Sequence, residues 1–80
     1  MKYPNRILAV RTDKDIYQEE LAVTSGISQQ MINLYEKGSS LPNVVVAELV
    51  AEYLGTTVRN LYEETIKDYI AEAGVNADLK

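Results

Sequence analysis

The chain has 80 residues, 46% of them hydrophobic, which sets its scale at one small globular domain. It carries eight basic and twelve acidic side chains, for a net charge of −4, and contains neither Cys nor His. Those absences exclude disulfides and thiolate chemistry and remove the commonest general base and metal ligand, so no enzyme, metal site or cofactor is expected.

Pro4 opens the first periodic segment, where its fixed φ and missing N–H are tolerated. Ile7 and Val10 then recur at helical spacing and predict a first helix over about residues 4–13. A second is expected over 18–25, with Leu21, Ala22 and Ser25 inward. Gly26 ends it, as glycine does where a chain enters the left-handed region. Ser28 is a good N-cap for a third helix over 28–37, which Gly38 closes. "SSLPN" is a loop, and a fourth helix follows over 43–54 up to Gly55. Its "VVVAELV" is rich in β-branched residues, but Glu48, Glu52 and the pattern running on to Leu54 favour a helix. Thr57 can cap a fifth helix, which meets no breaker before Gly74, and the tail "VNADLK" reads as frayed. The reading is all-α, with short connections and no repeat.

On a wheel of 100° per residue, the third helix has two faces. Gln29, Gln30, Asn33, Leu34 and Lys37 share one arc, while Met31, Ile32 and Tyr35 share the other. The charge is also divided. Residues 1–40 carry five basic and five acidic side chains, and residues 41–80 carry three and seven. A basic footprint, usual in a nucleic-acid-binding protein, is missing. No apolar run approaches the roughly 18 residues of a membrane span, and "MKYPNRILAV" is too short and polar for a signal peptide. A cytoplasmic protein is expected.

Two helices separated by "GIS" form a helix-turn-helix arrangement. The stretch "QEELAVTSGISQQMINLYEKG" resembles the Cro and phage-repressor (XRE) family of DNA-binding domains. The matching features are Gln18, the Leu21-Ala22 pair, Gly26, Ser28, Ile32, and Glu36 with Gly38. Arg11 sits where that family often ends its first helix, Pro42 falls in the expected loop, and "ELVAEYLGTTVRNLY" matches the fourth helix and the start of the fifth. The resemblance covers about residues 5–62 and implies a five-helix lambda-repressor-like fold with an extended fifth helix. Residues 1–62 would form the helix-turn-helix DNA-binding region, and 63–80 a helical extension and tail of the same domain.

Carried over residue by residue, the resemblance implies base contacts by Gln29, Gln30, Asn33 and Leu34 in the major groove. It implies phosphate contacts by Gln18, Ser28 and Lys37. Two positions depart from the family pattern. Tyr17 replaces the usual capping Ser or Thr, and Asp15 stands where glycine is usual, so a differently capped start to helix 2 is expected. Arginine, common among the outward positions of helix 3 in the family, is missing there. Glu36 reads as structural, bonded to the backbone of helix 2 or the turn. Glu63, Glu64, Asp68 and Glu72 read as a solvated face of helix 5.

Helix 4 is apolar nearly all round. Val44, Ala47, Val50, Ala51 and Leu54 form the expected core stripe, and Val45, Val46, Leu49 and Tyr53 a second arc. Helix 5 offers a matching stripe of Tyr62, Ile66, Tyr69, Ile70 and Ala73. Either helix 5 folds back over helix 4, or the stripes meet across a dimer axis through Leu49, Tyr53, Tyr62, Ile66, Tyr69 and Ile70. The leading function is a sequence-specific DNA-binding regulator, Cro-like or repressor-like, reading a palindromic operator in double-stranded DNA as a homodimer. A restriction–modification controller stays open. So does a protein-binding module such as an antitoxin, which would suit the acidic C-terminal half and exposed Leu8, Val23 and Leu34.

Overall fold

Three helices begin where the sequence supplies a capping side chain. Ser28 Oγ accepts from the Met31 N–H at 3.2 Å, Asn43 Oδ1 from the Val46 N–H at 2.9 Å, and Thr57 Oγ1 from the Asn60 N–H at 3.0 Å. The computed structural model describes residues 2–73, and these form six helices. They are α1 (Ile7–Asp13), α2 (Gln18–Ser25), α3 (Gln29–Glu36), α4 (Val44–Tyr53), α5 (Val58–Leu61) and α6 (Glu63–Glu72). No strand occurs among the described residues, and no helix there is long and apolar enough to cross a membrane. The expected stop at Gly74 and the tail beyond it lie outside the described residues.

Ile7, Leu21, Ile32, Val50 and Leu61, one from each of the first five helices, and Leu54 at the C-cap of α4 are almost wholly enclosed. Ala22, Tyr35, Ala51 and Tyr62 complete the core, with Val10, Ile16, Ile27, Met31, Val46, Val58 and Ile66 packed around it. The first three helices thus bury the stripes that their spacing marks out.

The expected elements need three adjustments. The first helix begins at Ile7, not near Pro4. Asn5 stands in front of it: its Oδ1 accepts from the Ile7 N–H at 3.0 Å, while its Nδ2 donates to the Tyr35 carbonyl at 2.8 Å. Residues 3–6 are thereby tied to the end of α3 instead of coiling into α1. Next, the fifth helix comes in two pieces. Tyr62 leaves helical geometry at φ −114° and ψ 24°, and the Leu61 carbonyl accepts from the Arg6 N–H at 2.9 Å. The N-terminal segment therefore takes a carbonyl that an unbroken helix would use, and Thr65 Oγ1 adds a bond to the Pro4 carbonyl at 2.6 Å. Last, Val44, expected in the core stripe of α4, is 73% exposed. It is the first residue of its helix, and the inner packing begins one turn later at Ala47.

Candidate nucleic-acid interface

Gly26 adopts φ 74°, a conformation that costs a residue with a Cβ more than it costs glycine, and it reverses the chain after α2. Leu21 and Ala22 on one side of this turn, and Ile32 and Tyr35 on the other, are buried in the shared core. Their burial turns the opposite face of α3 outward. Gln29, Gln30 and Lys37 are exposed there, and Asn33 and Leu34 are half-buried. Ser28 is exposed but its Oγ is occupied as the α3 cap. Lys37 lies at the C-cap of α3, where its charge complements the helix dipole.

Three of these polar side chains are joined. Gln18, the first residue of α2, donates from Nε2 to Glu36 Oε1 at 3.1 Å and to Asn33 Oδ1 at 3.5 Å. Its own Oε1 accepts from Gln29 Nε2 at 3.3 Å. The start of α2 is thus bonded to Gln29 and Asn33 on the outward face of α3 and to Glu36 beneath it. Gln30 and Leu34 take no part in this group.

Beneath it lies a buried ion pair. Arg11 donates from Nε to Glu36 Oε2 at 2.6 Å and from Nη2 to Glu36 Oε1 at 3.1 Å, with side chains only 10% and 6% exposed. The remaining Arg11 nitrogen, Nη1, donates to the Ile16 carbonyl at 2.9 Å. This fork satisfies both carboxylate oxygens and pins the α1–α2 connection to the end of α3. Glu36 is structural, as expected, but its partners are the side chains of Arg11 and Gln18, not the backbone of helix 2 or the turn. The signal was in the spacing. Arg11 follows core residue Ile7 by four positions, and Glu36 follows core residue Ile32 by four, so each charge lies on its helix's inner face.

The departures from the family pattern have local consequences. Asp15 holds the left-handed conformation at φ 57°, and no side chain caps α2 at Tyr17, which is 75% exposed. Glu19 and Glu20 stand in the first turn of α2, where acids complement the helix dipole.

The residues expected at a dimer contact divide into three groups. Tyr53, Tyr69 and Ile70 are about half exposed. Leu49 and Ile66 are half-buried, Ile66 against the core. Tyr62 is buried in its own chain at 3% exposure, so it belongs to the core and not to a free contact surface. Its Oη is buried without a hydrogen-bond partner among the described residues. Burial pushes its phenol up to about 12, and neighbouring Tyr35 adds to the rise. Beside it, Leu41, Val44, Ala47, Val58, Ile66 and Tyr69 line an apolar groove of about 270 Å³. Helices α4 and α6 face each other across it, through Val44 and Ala47 on one side and Ile66 and Tyr69 on the other. Glu63, Glu64, Asp68 and Glu72 are all exposed, with Glu63 3.5 Å from Lys67. Of the apolar residues expected outside, Leu8 and Val23 are exposed and Leu34 is half-buried.

Comparison with known proteins fits this arrangement. A helix-turn-helix family profile matches residues 7–61, from the first residue of α1 to the last of α5. The chain is also similar to the cryptic phage CTXphi transcriptional repressor RstR of Vibrio cholerae, at 27% identity over 63 residues. That match takes in 79% of this chain and 57% of RstR, so the chain spans little more than half the relative's length. By the extent of the profile match, with a turn between α2 and α3 set by Gly26, the chain belongs to the XRE-type helix-turn-helix family.

Proposed function

We propose that this protein is a sequence-specific DNA-binding transcriptional regulator, Cro-like or repressor-like, that reads a palindromic operator as a homodimer. The observation that carries the reading is the joined amide group of Gln18, Gln29 and Asn33 on the free face between α2 and α3. Gln29 and Gln30 read base edges, with Asn33 and Leu34 beside them. Glutamine pairs in a bidentate way with adenine N6 and N7. Gln18 through its backbone N–H at the start of α2, together with Ser28 and Lys37, holds the sugar–phosphate backbone. The similarity to a phage repressor supports the same reading.

The weak charge of this face supports a dimer. Arg11 is neutralised by Glu36, which leaves Lys37 as the basic group on the outward face of α3. Most salt-dependent affinity comes from phosphate neutralisation, so one copy binds weakly. A two-fold pair doubles the contacts and reads half-sites about 34–36 Å apart. Leu49, Tyr53, Ile66, Tyr69 and Ile70 supply apolar surface for that pairing. The acidic side chains of α6 then lie away from the phosphates.

The test is selection of bound sequences from a random DNA pool, followed by Gln29→Ala. The wild type is expected to enrich a palindrome. Gln29→Ala should weaken binding to that site by about 1–3 kcal/mol and to random DNA much less. Equal losses on both would remove Gln29 from base readout, and no enrichment by the wild type would refute the function.

A further inference from the structure

Glu36 accepts hydrogen bonds on both oxygens and, as an ionised carboxylate, has no proton to donate. Whichever end of the Gln18 amide lies 3.1 Å from Glu36 Oε1 must therefore be the NH₂ group. The other end is then the carbonyl oxygen, and it faces Gln29 at 3.3 Å. A carbonyl oxygen needs a donor, so the Gln29 atom facing it must be Nε2. By the same rule the Asn33 atom 3.5 Å from Gln18 Nε2 is its oxygen, which turns Asn33 Nδ2 away. One buried charge thus sets the direction of three amides whose two ends are otherwise nearly equivalent in shape.

We infer that Glu36 is a positioning residue for base discrimination, acting through Gln18 to fix which amide atoms Gln29 presents to DNA. The inference rests on the DNA-reading function proposed above. With one N–H held by Gln18, Gln29 keeps its Oε1 acceptor and one N–H donor. That pair matches adenine, which offers the N6 amino donor and the N7 acceptor. Guanine offers two acceptors, O6 and N7, and meets the Gln29 oxygen unfavourably. A Gln29 freed from Gln18 can turn its whole NH₂ group toward guanine. Glu36 therefore excludes guanine at this base, although it reaches no DNA itself. Its own direction is held by the Arg11 fork at 2.6 and 3.1 Å, so the constraint begins in the core.

Two variants test this. Glu36→Gln keeps the shape but adds a donor, so the Gln18 amide can take either direction. Arg11→Met with Glu36→Met removes the ion pair and leaves no buried charge unpaired, which preserves folding. The base position in question is the one that Gln29→Ala makes degenerate in the selection. At that position the wild type is expected to prefer adenine over guanine by at least about tenfold. In both variants the preference should fall below about threefold while other positions of the site keep theirs. Circular dichroism confirms that the tested protein is folded. A purely structural role for Glu36 predicts something else: lower affinity for every sequence with the adenine-to-guanine ratio unchanged. That result in the double variant overturns the inference and leaves the DNA-reading function standing. A wild type that enriches no sequence overturns both.

Discussion

Replacing Ile70 by Asp separates a dimer from a self-contained chain. Ile70 is 49% exposed, so the isolated chain already leaves half of it in water. Burying a whole isoleucine side chain contributes about 1.5–3 kcal/mol, so covering the exposed half contributes about 1 kcal/mol per copy. A two-fold contact contains the residue twice, which gives about 2 kcal/mol. An Asp loses this and also brings a charge to be desolvated in each copy, a cost of several kcal/mol per ion where no partner is present. A total of at least about 4 kcal/mol weakens the dimer roughly a thousandfold. The same change in the free chain gives up only the half of Ile70 that is already covered and should cost about 1 kcal/mol of fold stability. Ile66 does not serve as well, because it packs against the core and an Asp there disturbs the fold itself. Sedimentation velocity at micromolar concentration, with a thermal melt of the same sample, reads both effects. The expected result is a dimeric wild type and a folded, monomeric Ile70→Asp that loses specific DNA binding. A monomeric wild type, or an Ile70→Asp protein that still sediments as a dimer, refutes the reasoning.

Arg11→Met strands the Glu36 carboxylate in the core and should cost about 3–5 kcal/mol, a large share of the roughly 4–12 kcal/mol available to a chain of this length. Chemical denaturation should show most of that loss restored when Glu36→Met is added. Tyr62 gives a pH dependence. Its phenol rises from 10.0 to about 12 on folding, so the folded protein holds that proton more tightly than the unfolded chain does. The associated stability is complete below pH 10 and is lost as pH rises toward 12, by about 3 kcal/mol. Tyr62→Phe should remove this alkaline loss and, because the hydroxyl has no partner among the described residues, match or exceed the wild type at pH 7. Urea melts of both proteins between pH 8 and 11.5 check it. Lys37→Ala should lower the slope of log affinity against log salt by about one, measured on the selected site. An unchanged slope removes Lys37 from the phosphate contacts.

Local rules were enough to read much of this molecule from its residues. Ser28 and Thr57 cap because short polar side chains reach the free N–H groups of a helix start, and Gly26 turns because it lacks a Cβ. Both effects act within a few residues. The free face of α3 was legible for the same reason, since the stripe Ile32 and Tyr35 must bury leaves Gln29, Gln30 and Lys37 outside. What escaped were relations between distant parts of the chain. The break at Tyr62 depends on the Arg6 N–H arriving at the Leu61 carbonyl, and nothing near residue 62 announces it. Tyr62 carries a helical stripe that suits a dimer surface equally well, yet it is enclosed by its own chain. Val44 has the right period for the core but lies one turn outside the packed part of α4. Arg11 and Glu36 stand 25 positions apart, and the spacing that puts each on an inner face does not name the other as its partner. Only the packing of α1 against α3 makes them a buried pair, because periodicity states which face of a helix turns inward but not which neighbour it meets there.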